Sequence, residues 1–180
     1  MRRVDLERKL KFTNMYRAPQ AGYVNAKALK ELIKRYVTKN TTVIVPFMGK
    51  LDYLPEILGE NNKLITNDID FAIDADYQMD ALDFLSQCPK TNSSLVIATI
   101  PLEIQTELRW HVYLGRLRRA IDNLITKGCH VITIDTNTNG EGFQRGYVPV
   151  EILNMFHGTL KYNTLVLVEK KLKTGQLPTT

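Results

Sequence analysis

Cysteine is scarce in this chain: 180 residues contain only Cys88 and Cys129. They form no Cys-x-x-Cys pair and stand near no histidine cluster. This argues against a disulfide framework and a zinc site, and makes a reducing cytoplasm the expected compartment. Long hydrophobic runs are missing too, and no segment approaches the roughly 20 residues needed to cross a bilayer. Met1 to Phe12 alternates charged and apolar residues and does not read as a signal peptide. There is no internal repeat and no low-complexity tract. With 44% hydrophobic and 24% charged residues, the chain supports one core and one domain, with no separate recognition domain. The net charge of +5 is modest and dispersed. It is compatible with a polyanionic partner such as DNA without requiring one.

The pattern along the chain is an alternation of strands and helices. Residues 1–24 read as an N-terminal arm, since Pro19 and Gly22 interrupt its ragged amphipathic start. From Asn25, a good N-cap, Leu29, Leu32, Ile33 and Tyr36 recur at helical spacing. Thr41 to Phe47 reads as a buried strand, Leu51 to Leu58 as a short helix closed by Gly59, and Lys63 to Thr66 as a second strand. Asp80 to Cys88 reads as a helix. Ser94 to Ile100, apolar and β-branched, has the character of a central strand in a covered parallel sheet. Thr106 to Lys127 is the longest predicted helix, with Leu114, Leu117, Ile121 and Leu124 on one face and Arg109, Arg116 and Arg119 turned away. His130 to Asp135 is another central strand, and 137–146 an Asn- and Gly-rich loop. Pro149 is expected to open a helix through Phe156. Thr164 to Lys170 is a last strand, expected to pair with a segment near His157 to Lys161, and 172–180 a tail.

That order implies an α/β fold, a doubly wound, mostly parallel sheet with a C-terminal antiparallel strand. Ligands of such sheets bind at the carboxyl ends of the strands. The rule gathers Phe47 to Gly49, Asp68 to Asp70, Asp80, Thr99 to Leu102 and Thr136 to Asn139 on one edge. Asp68 is the most informative of these, because an acid just past a strand in this position is how open sheets hold a ribose hydroxyl. Each feature also has a plain structural account. Asp68 suits a turn cap and Asp80 a helix N-cap, Phe47 and Gly49 suit core and turn, and the arginines a solvated face. Trp110 and His111 suit packing against the next helix as well as a substrate mouth.

Four stretches together resemble a family, the small DNA adenine N6-methyltransferases of phages and mobile elements. Ile65-Thr66-Asn67-Asp68-Ile69-Asp70 continuing through Asp76 to Leu85 is similar to the family's Thr-Asn-Asp segment and following helix. Pro46-Phe47-Met48-Gly49 is similar to its Asp-Pro-Phe-Ala-Gly loop, and Asn137 to Gly142 with Arg145-Gly146-Tyr147 to its Asn-Ser-Asn-Gly loop. Glu151-Ile152-Leu153, His157-Gly158 and Tyr162-Asn163-Thr164 resemble its closing segment. The resemblance covers most of the chain from Tyr23 to Lys171. It implies a Rossmann-like class I methyltransferase fold over 25–171 and S-adenosylmethionine as cofactor, held by Phe47, Gly49, Asp68, Asp80 and Tyr23. DNA would be met by Arg109, Arg116 and Arg119, in the cytoplasm of a host cell if the source is viral. No metal and no membrane partner are implied.

The departures are at the chemistry. Val45 stands where the family ends its first strand in Asp, and the glycine-rich turn retains only Gly49. Thr99-Ile100-Pro101-Leu102 stands where the family carries Asp-Pro-Pro-Tyr. Thr99 is a weaker acceptor than a carboxylate, and Leu102 offers a flipped base no π face, forgoing roughly 1–3 kcal/mol of stacking. The resemblance therefore implies a methyltransferase-like protein degenerate at Thr99, Pro101 and Leu102, acting as a cofactor-, DNA- or protein-binding module. The alternative is an active methyltransferase on DNA adenine or another substrate.

Overall fold

The computed structural model describes residues 10–16, 27–90, 94–100, 110–136, 140–156 and 163–172. Its strands are β1 (Lys11–Tyr16), β2 (Thr42–Val45), β3 (Lys63–Thr66), β4 (Ser94–Thr99), β5 (His130–Asp135), β6 (Tyr147–Phe156) and β7 (Thr164–Lys171). The helices are α1 (Lys27–Tyr36), α2 (Leu54–Leu58), α3 (Ala81–Gln87) and α4 (Trp110–Leu124). All seven strands join one sheet in the order β1-β6-β7-β5-β4-β2-β3. Strands β3, β2, β4 and β5 run parallel, and β7 is antiparallel to both β5 and β6.

The central strands are apolar throughout because both faces of the sheet are covered. Alternation along β2 sends Val43 and Val45 into one core with Leu29, Leu32 and Ile33 of α1 and Leu54 and Leu58 of α2. Ile44 goes to the other, with Phe84 and Leu85 of α3 and Leu117, Ile121 and Leu124 of α4. Each fully buried aliphatic of this kind contributes roughly 1.5–3 kcal/mol. Gly59, at φ 72, ends α2, and Gly128, at φ 94, turns the chain into β5. Positive φ is open to glycine at little cost. The predicted helical face of α4 holds: Leu117, Ile121 and Leu124 are buried, while Arg116 and Arg119 are exposed.

Two expectations are overturned. Pro149 does not open a helix; it lies in β6, whose inward residues Glu151, Leu153 and Met155 alternate with half-buried ones. Among the described residues β1 pairs with β6 only from Glu151 onward, and the β6–β7 register shifts between Pro149 and Glu151. The proline is thus accommodated at an irregularity with one strand neighbour, where the lost N–H is tolerated. The partner of β7 is accordingly β6 on one side and β5 on the other; 157–161 lies outside the described residues. The second correction concerns residues 11–16, which are no loose arm. They form the parallel edge strand β1 beside β6. The cause is long-range: Glu151, almost fully buried, takes Arg35 Nη2 at 2.5 Å, Tyr36 Oη at 2.8 Å and Lys11 Nζ at 3.2 Å. Burial alone would raise the Glu151 pKa, but these three donors outweigh it and hold the carboxyl below its ordinary value. Asn25 also lies outside the described residues.

Candidate cofactor and substrate edge

Because β2, β3, β4 and β5 are parallel, their carboxyl ends share one edge of the sheet. There the loops after β2 and β3 are tied together. Asp68 Oδ2 accepts the Gly49 N–H at 2.8 Å, and Oδ1 accepts the Asp70 N–H at 3.0 Å. Asp70 in turn caps the next turn, accepting from Ala72 N at 2.9 Å. The Asp68 side chain thus does what a turn cap does, and also brackets the loop of Gly49. An ionised carboxylate has about four acceptor positions, so two N–H bonds leave capacity on a half-buried group. Gly49 adopts φ 47, and a Cβ there would meet nothing within 4 Å. The backbone favours glycine, and the space above it is open.

Asn67 is the organiser that sequence reasoning passed over. Buried to 1% exposure, it donates from Nδ2 to the Pro46 carbonyl at 3.0 Å and the Met79 carbonyl at 3.1 Å, while Oδ1 accepts from Met79 N at 3.2 Å. Its own backbone bridges Val45 O and Met48 N. One amide therefore fixes the loops after β2 and before α3. Sequence could flag Asn67 only as the neighbour of Asp68, since a buried amide is identified by its partners. Asp76 adds a second tie, accepting from Thr66 N at 2.8 Å and Thr66 Oγ1 at 3.0 Å.

Asp80 is the N-cap of α3: Oδ1 accepts the Leu82 N–H at 2.8 Å, and Oδ2 accepts Tyr113 Oη at 3.3 Å. Burial first, then the Asp80 charge, raises the Tyr113 pKa, keeping the phenol a donor. Phe47 is half buried and packs against the α3–α4 core. Val45, where the resemblance expects an acid, is wholly buried in the α1–α2 core. At the end of β4, Thr99 Oγ1 is buried with no hydrogen-bond partner among the described residues. No described bond joins Thr99, Arg116 or Arg119 to Asp68. Tyr23, Pro101, Leu102 and Arg109 lie outside the described residues, as do 137–139 and His157. The Trp110 side chain also lies outside them, and His111 is exposed.

A cleft of about 890 Å³ opens beside the bracket, lined by Met48, Gly49, Lys50, Thr66 and Asp76 among others. It shares Gly49 with the loop ties, but Phe47, Asp68, Asp80 and Thr99 do not line it. Its size alone does not make it the chemical centre, because the polar groups that converge lie at the strand ends. Cys88 is half buried, and burial pushes its thiol up to about 11, which leaves little thiolate near neutrality. Among the described residues no cluster could hold a metal ion, and no helix is long and apolar enough to cross a membrane.

Solved structures share this fold. Precorrin-6y C5,15-methyltransferase from Geobacter metallireducens matches 84% of this chain and 92% of its own, at 11% identity and TM-score 0.56. TrmN from Thermus thermophilus matches at 15% identity and TM-score 0.58 over 80% of this chain. A Listeria monocytogenes structure assigned to the class I S-adenosylmethionine-dependent methyltransferases matches 85% of this chain and 61% of its own, at 11% identity and TM-score 0.55. The chain has the class I methyltransferase fold. It spans about half the length of TrmN, 48%. At such identities the likeness is one of fold. No protein-family model and no curated protein matches the sequence. Within the fold, β3 is the strand whose end carries Asp68, and the sheet reverses direction of winding between β2 and β4, where ligands of open sheets sit.

Proposed function

We propose that the chain binds S-adenosylmethionine at the carboxyl ends of β2 and β3, through Phe47, Gly49, Asp68 and Asp80, with Tyr23 added by the family resemblance. On this reading it is a methyltransferase-like module, related to the DNA adenine enzymes, whose reaction centre has lost its usual acid and aromatic. The observation that carries the proposal is the Asp68 bracket: a half-buried carboxylate at the end of β3, already aimed at the Gly49 loop, with acceptor capacity to spare. Open space above Gly49 suits a ligand that approaches the backbone closely. The methionine end fits less well, since Val45 contributes core in place of an acid. The bound cofactor would supply an electrophilic methyl group. The protein's part is to orient the ribose through Asp68 and to hold the loops through Asn67. DNA phosphates would meet Arg109, Arg116 and Arg119; a protein partner is the other occupant consistent with a non-catalytic module.

Titration calorimetry with S-adenosylmethionine and its demethylated product tests the pocket. Heat with at least one is expected, and Asp68→Ala should weaken it about ten- to hundredfold, the worth of a charge-assisted hydrogen bond. No heat with either ligand overturns the proposal.

A second reading, active methyl transfer, is favoured by one observation: the Thr99 hydroxyl at the end of β4 has no partner among the described residues. A buried hydroxyl without a partner is costly, and a substrate amine would satisfy it. Tritiated methyl incorporation into unmethylated DNA decides between the readings, and none favours the module. Gain of incorporation in the double variant Thr99→Asp, Leu102→Tyr would locate the lesion in the altered tetrad; silence would implicate Val45 as well.

A further inference from the structure

Among its described residues, the crossover from β5 to β6 carries no α-helix. It returns across the α4 face of the sheet and ends in a single 3-10 turn at Phe143–Arg145. It is held there by a carboxylate on β7. Glu169, 3% exposed, accepts the Glu141 N–H at 2.5 Å on Oε2 and the Gly142 N–H at 3.0 Å on Oε1. Gly140 packs so closely on this carboxylate and on Leu167 that an added Cβ would overlap both. Glu141 is thereby carried inside as well: it is 3% exposed, and its Oε2 has no hydrogen-bond partner among the described residues. We infer that Glu169 is the positioning residue for the 140–146 crossover, and that its grip depends on a proton carried by the neighbouring Glu141.

Two carboxyl groups inside one cluster cannot both ionise cheaply. Glu169 accepts from two main-chain N–H donors, whereas one Glu141 oxygen has no partner among the described residues. Of the two lysines on the strand of Glu169, Lys171, which shares its face by alternation, is spent on Asp122 Oδ1 at 2.7 Å and on the Asp122 and Ile125 carbonyls. Glu141 faces Glu169 from β7, Arg145 from the 3-10 turn, and Arg118 and Asp122 from α4. Asp135 of β5 lines the same small cavity, and the Tyr147 phenol of β6 feels the Glu141 charge. Burial first, then the Glu169 charge, raises the Glu141 pKa from 4.5 to about 8, against the opposing pull of Arg145 and Arg118. The sign follows. A carboxyl that is neutral when clamped and ionised when released favours the clamp below about 4.5, and that preference is lost as pH rises to about 8. The crossover follows the carboxyl end of β5, so its anchorage bears on the proposed substrate edge. That consequence rests on the methyltransferase reading; the anchorage itself does not.

Hydrogen exchange at the Glu141 and Gly142 amides of the cofactor-free protein tests the anchorage apart from any activity. Corrected for intrinsic rates, protection should fall by up to about tenfold per pH unit between the two pKa values, one proton's worth of linkage. Glu141→Gln should keep the protection and lose the pH dependence, and Glu169→Gln should lose the protection throughout. Gly140→Ala, which changes no charge but displaces the crossover, should also lose it while the amides of β4 and β5 stay protected; this variant serves if Glu169→Gln fails to fold. Protection that is flat with pH in the parent, or unchanged in Gly140→Ala, overturns the inference. Failure of cofactor binding leaves these outcomes untouched.

Discussion

Asp68 and Glu169 perform the same act in different surroundings. Each offers a carboxylate to two main-chain N–H groups and so ties a connecting segment to the sheet. Asp68 does so half exposed, at the strand ends. Glu169 does so at 3% exposure, on the face under α4. The difference teaches what a bound carboxylate has left to give. At the edge, lone pairs remain open to solvent and hence to a ligand. Inside, the remaining lone pairs are closed off from solvent, and the neighbouring Glu141 carboxyl is held well above its ordinary range. Loss of Glu169 should therefore cost folding, and loss of Asp68 should cost binding.

The largest expected effect is on the buried side. Glu169→Ala leaves a buried and a half-buried N–H group without their acceptor and should lower unfolding stability by about 3 kcal/mol, read as a shifted urea midpoint at unchanged slope. Asp68→Ala should cost about 1 kcal/mol in the same assay, as expected for a solvent-reached bond. If the two losses are equal, the contrast fails. In binding the order reverses: Asp68→Ala should reduce S-adenosylmethionine affinity at least tenfold by calorimetry, an effect of about 1.4 kcal/mol, with Glu169→Ala closer to the parent wherever it remains folded.

The two shifted acids sharpen the contrast through pH. Glu151 is held below its ordinary value, so its contribution is present above the usual carboxylate range and lost as pH falls through the depressed value. Glu141 is raised, so its contribution is present at low pH and lost as pH climbs from 4.5 to about 8. Thermal melts should show Glu151→Gln flattening the acid limb and Glu141→Gln flattening the fall in stability between pH 4.5 and about 8. A change on the same limb in both would refute the assignment. The smallest effect is at Asp80: Asp80→Ala removes the α3 cap and should cost about 1 kcal/mol, measured by urea unfolding.

Much of the scaffold was legible because local pattern and tertiary role agree there. β2, β4 and β5 are apolar runs that sit in the middle of a covered sheet, and the Leu117, Ile121 and Leu124 stripe of α4 packs as its spacing implies. The Asp80 cap was readable too, since a cap and its helix are neighbours in sequence. In β6 the local signal points elsewhere, because Pro149 suits a helix start. Only Lys11, Arg35 and Tyr36, distant in sequence, make it economical to bury Glu151 in a strand. β1 escaped notice for the same reason, because its partner strand was taken for a helix.

From the chain alone came the alternation of strands and helices, the parallel core and the edge that collects Phe47, Gly49, Asp68, Asp80 and Thr99. These follow from periodicity and from where strands end, which neighbouring residues dictate. Only the folded molecule decided that Asn67 joins the loops, that Glu151 recruits β1, and that Glu169 and Glu141 share a buried site. Each of those is a polar side chain whose state depends on donors far away in sequence, and no local pattern records which donors will arrive.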